Sequence, residues 1–92
     1  MRLSIIPEDR AVVKDMQGVN FADNLNDYIA TPIPADIHAL QWNEGSGEIE
    51  YTELGRANEQ ISELPAWANE CVSLHETTLA ALAETDSPEA SE

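Results

Sequence analysis

Only one stretch of this sequence, Pro65 to Glu84, can make a long helix; everything before it is cut into short pieces by turn residues. Trp67, Cys71, Leu74, Thr78 and Leu82 recur there at steps of three or four, flanked by Ala68, Val72 and Leu79. That spacing predicts an apolar stripe over about five turns, with Glu70 and Glu76 on the outer face. Pro65 suits the first helical position, where its missing N–H is not needed. Acids after residue 76 oppose the macrodipole, so the C-terminal end is expected to fray.

The segments before the helix read as strands and turns. Leu3 to Ile6 is an apolar run stopped by Pro7-Glu8-Asp9, and Ala11-Val12-Val13 resumes as a strand. Asp15 to Gly18 is the next turn, with Gly18 free to take positive φ. Val19 and Phe21 alternate. Asn20 to Ala30 has Phe21, Leu25, Tyr28 and Ile29 at helical spacing, which favours one or two helical turns capped by Asn20, while its Asn and Asp residues equally suit an irregular loop. Ile37 to Trp42 is a strand with Ile37 and Ala39 on one face and His38, Leu40 and Trp42 on the other. A five-residue loop, Asn43 to Gly47, leads into Glu48 to Thr52, with Ile49 and Tyr51 facing in.

The expected fold class is therefore α+β: a small antiparallel sheet of about four short strands, packed by one C-terminal amphipathic helix. The expected domain is 1–84. Residues 85–92, rich in Ser, Pro and Glu, are expected to form a disordered acidic tail, because they bury too little to offset ordering entropy.

Charge narrows the function. Eighteen acidic residues face four basic ones, Arg2, Arg10, Lys14 and Arg56, giving net −14 in 92 residues. No Lys or Arg follows Arg56, while eight carboxylates do. Nucleic-acid binding needs cations to neutralise phosphate, so no nucleic-acid partner is expected, and no anionic membrane surface for the same reason. The N-terminal run is too short to read as a signal peptide or a membrane span.

Reactive groups are few. Cys71 and His75 lie four apart on the helix, but they lack a third orienting group and an oxyanion turn, and Cys71 falls on the buried stripe. Core packing is the reading for that pair. His38 stands alone on its strand, and the Asp23, Asp27 and Asp36 spacing matches no calcium loop. No catalytic, cofactor or metal site and no small-molecule substrate is expected. Trp42 and Trp67 read first as indoles packed on each other where helix meets sheet, and second with one of them as a partly exposed interface anchor. Leu79 and Leu82 are expected to project past the sheet as an apolar overhang with an acidic rim, the form of a partner-binding helix.

Several motifs in order resemble a known group: Leu3 to Asp9 (LSIIPED), Ile33 to Trp42 (IPADIHALQW), Gly47 to Tyr51 (GEIEY) and Glu63 to Trp67 (ELPAW). The set is similar to small proteins encoded among the tail genes of tailed bacteriophages, called tail-fibre assembly or tail-assembly chaperone proteins. It spans most of the first 75 residues, and the Asn20 to Ala30 stretch is longer here than in that group. The resemblance implies a non-enzymatic protein that binds a tail-fibre or baseplate protein, as an assembly chaperone or a small subunit of the virion tail. It would act in the host cytoplasm during assembly or remain in the tail. Trp67, Leu74, Leu79 and Leu82, with Trp42 as the alternative anchor, are the expected contact residues. The rival is an acidic DNA mimic that inhibits a host nucleic-acid-binding defence protein. Its affinity would collapse with salt, whereas an apolar interface tolerates it.

Overall fold

This computed structural model describes residues 1–85, with side chains through Leu82. Six strands form one antiparallel sheet: β1 (Arg2–Ile6), β2 (Ala11–Lys14), β3 (Gln17–Asn20), β4 (Ile37–Asn43), β5 (Ser46–Tyr51) and β6 (Glu59–Ile61). Their order across the sheet is β3-β2-β1-β4-β5-β6. Helix α1 (Ala66–Thr85) packs on one face. The α+β class and the single C-terminal helix hold, but six strands replace the expected four or so. The two additions, β3 and β6, are the sheet's edges. Apart from Thr85, which closes the helix, the expected acidic tail lies outside the described residues.

Turn chemistry sets the register. Lys14 pairs with Gln17, so the β2–β3 hairpin closes through Asp15 and Met16 alone, at φ 50° and 73°. Two left-handed residues in a two-residue loop give the mirror-image turn whose twist matches the strands. Gly18, expected to supply the positive φ, instead sits in β3 opposite Val13. Likewise the β4–β5 loop is two residues, Glu44 and Gly45 at φ 51° and 92°, because Asn43 pairs with Ser46. The five-residue loop read from sequence is too long by three. Asn43, Ser46 and Gly47 have the composition of a loop, and all three are strand residues.

A bulge in β4 corrects the facing of that strand. Ile37 pairs with Tyr51 and Ala39 with Glu50, so His38 is the extra residue. Ile37 therefore shares the inner face with Leu40 and Trp42, while Ala39 turns to the outer face and His38 to solvent. The inner face, with Leu3, Ile5, Val12, Val19, Leu40 and Ile49, meets Trp67, Ala68 and Cys71 of the helix. Burying these side chains is the main stabilising term of the fold.

Segment 21–35 closes the core's flank. Leu25 is fully buried in a single 3-10 turn, Leu25–Asp27, the short helical turn expected in this stretch. Asn24, not Asn20, caps it, its side chain accepting the Asn26 N–H. Phe21 and Tyr28 meet as a tilted ring pair, 5.3 Å between centroids and 48° between planes.

The helix is tied down on one side only. It packs over β2 and β3, with the weight of its contacts there and none comparable to β5 or β6. Lys14 reaches Glu76 at 3.2 Å, and His75 Nε2–H donates to the Gln17 carbonyl at 2.7 Å. Glu70, placed on the outer face by periodicity, accepts the Ala30 N–H at 2.7 Å, the Thr31 N–H at 3.0 Å and the Thr31 hydroxyl. These bonds favour the carboxylate, so the Thr31 hydroxyl and amide together hold Glu70 below its ordinary pKa. A depressed carboxyl adds stability that is complete above the unfolded value of 4.5 and is lost as pH falls through the folded one. We expect Glu70→Ala to lower stability at neutral pH and to flatten the acid limb of the stability–pH curve. Urea titrations at a series of pH values measure both.

Candidate functional site

Because the helix runs to the β3 side, the β5–β6 half of the inner face keeps only partial cover. A groove of about 610 Å³ opens there. Its floor is Ile37, Ile49 and Ile61, and its far wall is Leu64, Pro65 and Trp67, where the chain turns into the helix. Pro65 caps that turn: its carbonyl accepts the Ala68 and Asn69 N–H groups at 3.0 and 3.1 Å. Proline thus stands one place before the first helical residue, within the usual tolerance of helix ends.

The groove's rim is polar and tightly paired. Arg56 Nη1 donates to Asp36 at 2.7 Å, and its guanidinium lies 3.5 Å above the Tyr51 ring. The Tyr51 hydroxyl donates to Glu59. Glu63 completes the acidic side of the rim. Donation to the Glu59 carboxylate pushes the Tyr51 phenol above its ordinary value. We expect Glu59→Gln to lower the Tyr51 titration midpoint, read by phenolate absorbance. An unchanged midpoint would contradict this rim geometry.

The residues expected from sequence to make contacts scatter. Trp67 is 5% exposed and serves both as core and as groove wall. Trp42 is half-buried on the inner face opposite Gly47, its ring lying over the glycine. The two indoles are not the ring pair of this fold; among the described residues that pair is Phe21 and Tyr28. Leu74 and Leu79 are half-buried against the core. Leu82, about one turn beyond, is 49% exposed, whereas Leu79, expected to project with it, packs against the core. Groove and overhang therefore lie at opposite ends of α1. Sequence reading missed Arg56, Glu59 and Ile61 as site residues, because β6 has one apolar residue in three. A signal was present in Arg56, a lone cation five places after Tyr51.

The outer face of the sheet offers a second, smaller concavity of about 470 Å³. Its floor is polar and satisfied within the chain: Ser4 donates to Gln41 at 2.6 Å and Gln60 to Glu48 at 2.8 Å. Met16, 86% exposed at the β2–β3 turn, sits on its rim.

Cys71 and His75 are both buried in the helix–sheet core. Burial pushes the Cys71 thiol up to about 11, which leaves it inert as a nucleophile near neutral pH. The Nδ1 of His75 is buried without a hydrogen-bond partner. Among the described residues no three His, Cys, Asp or Glu side chains are grouped to hold a metal ion, and no helix is long and apolar enough to cross a membrane. No protein-family model, curated protein or solved structure matches the chain.

Proposed function

We propose that this chain is a non-enzymatic protein-binding module of a tailed-phage tail, acting on a tail-fibre or baseplate protein. One observation carries the binding reading: the helix's main contacts are with β2 and β3, and Ile61, Leu64 and Pro65 at the groove and Leu82 on the helix keep part of their apolar surface exposed. Surface of that kind, rimmed by charge, marks interaction sites. The partner class rests on the ordered motifs shared with tail-assembly proteins. Whether the chain leaves after assembly as a chaperone or stays as a subunit is a matter of its presence in virions.

Leu82 and Leu79 are the contact residues with surface to give, and the acidic rim steers approach to a basic patch. Leu82→Asp is expected to weaken copurification with a tagged tail-fibre protein while moving stability by no more than about 0.5 kcal/mol. Mass spectrometry of purified virions separates the two roles. A fixed ratio to a fibre or baseplate protein makes the chain a structural subunit. Absence from virions with copurification on tagged fibre makes it an assembly chaperone. Absence from both contradicts the proposal.

The DNA-mimic alternative draws no support from the carboxylates. Such a mimic presents them in rows to solvent, whereas here Asp36, Glu59 and Glu70 are engaged by Arg56, Tyr51 and Thr31, and Glu44 by the N-terminal amine.

A further inference from the structure

The two edges of this sheet are treated differently. β3 lies under the helix, and the carbonyl of its first residue, Gln17, is occupied by His75. β6 is the other edge. It pairs with β5 along Gly47–Ile61, Glu48–Gln60 and Ile49–Glu59, and among the described residues nothing pairs with its outer side. An open edge is a template for another strand unless it is blunted by shortness or charge. β6 is short, and it carries Glu59 toward the groove.

The groove lies beside that edge, on the face to which Ile61 and Glu59 point. A strand added outside β6 would run alongside it, with every second side chain directed toward the groove and its neighbours directed to the outer face. We propose that the edge of β6 receives an extended, basic segment of a partner protein as a seventh strand. Apolar side chains of that segment fill the groove against Ile61 and Leu64, and its Lys or Arg meets Glu59 and Glu63. The inference rests on the protein-binding reading above and adds to it a second contact, at the opposite end of α1 from Leu82.

Charge selects among the possible occupants. Arg56, the one cation on the rim, is committed to Asp36 and to the Tyr51 ring, so Glu59 and Glu63 set the sign that an incoming segment meets. A second copy of this chain, at net −14, would bring the same carboxylates to the same edge and be repelled. The charge that blocks self-pairing is the one that admits a basic strand. A flat ring ligand has no aromatic platform: Arg56 occupies one face of Tyr51, and Trp67 is almost wholly buried.

The test is a display library of random peptides about ten residues long, the length of a strand that spans β6 with flanks, panned on the immobilised full chain. Enriched peptides are then titrated against wild type, the double variant Glu59→Lys/Glu63→Lys, Ile61→Asp and Met16→Ser, each shown folded by circular dichroism. The expected result is a consensus alternating apolar residues with Lys or Arg. Affinity should fall about tenfold or more in the charge-reversed variant, fall also in Ile61→Asp, and stay unchanged in Met16→Ser, an exposed position at the far turn of the sheet. The amides of Glu59 to Ile61 should gain protection from hydrogen exchange on binding. No enrichment over the blank support, a helical or acidic consensus, or binding indifferent to the charge reversal would each overturn the proposal. If tagged tail-fibre protein still copurifies in that case, the groove assignment falls and the wider function stands. If basic strands bind but no fibre or baseplate protein copurifies, the reverse holds.

Discussion

Trp67→Ala is expected to cost about 3–5 kcal/mol, the usual range for removing a buried indole from a well-packed core. Trp67 is 5% exposed and belongs to the cluster that joins the helix to Ile37, Leu40 and Ile49. Small domains hold a total stability near the low end of about 5–15 kcal/mol. Truncation there therefore leaves the fold marginal, and urea denaturation followed by far-UV circular dichroism reads the loss. The expectation has a consequence for any interface scan. Sequence periodicity made Trp67 a contact anchor, yet an alanine at that position reports folding before it reports binding. Leu82, half-exposed at the far end of the same helix, is the position at which the two are separable. A Trp67→Ala variant with wild-type stability would mean that the indole does not close this core.

Gly47→Val carries the second large effect. Gly47 sits in β5 opposite Trp42, and its φ is ordinary, so the requirement for glycine is one of space. A Cβ built there falls 2.3 Å from the Gln41 carbonyl oxygen and 3.0 Å from both the Cα and the ring Cε3 of Trp42. Two of those three atoms are backbone of the central strand β4, which cannot step aside as a flexible side chain can. Overpacking in a formed core costs about 1–3 kcal/mol, and contact with backbone puts this case at or above the top of that range. Displacing the Trp42 ring, which lies over the glycine, also loosens the hairpin that carries the groove floor. Thermal unfolding should show a drop in Tm, while Gly45→Asn, at a turn position with φ 92° and open space around it, meets backbone strain alone and should lower Tm by less.

Much of this fold could be read from the residues, and the failures have physical causes. The central strands β1, β2, β4 and β5 alternate over four or more residues with β-branched side chains, so periodicity finds them. The edges do not carry that pattern. β6 reads Glu-Gln-Ile and β3 reads Gln-Gly-Val-Asn, each with a single large apolar residue, because an edge strand is paired on one side and exposes much of its length. Positive φ at Asp15 and Met16 was hidden by the nearby Gly18, which offers conformational freedom that the turn does not use. The bulge at His38 reverses the facing of Ile37, and no local residue announces it. Pattern reading placed the overhang at Leu79 and Leu82 because the stripe outlasts the sheet. The groove escaped it, because a groove is made by where the helix crosses, and that is set by Lys14, Gln17 and Thr31 reaching Glu76, His75 and Glu70.

The central claim is that uncovered apolar surface on this chain binds a tail protein. The most direct test is copurification of the full chain with co-expressed tagged tail-fibre protein, in low and in high salt, for wild type and Leu82→Asp. The account predicts a complex that survives high salt and is weakened by the substitution. A complex that dissolves as salt rises, and is indifferent to Leu82, would contradict it and move the weight to charge-driven binding.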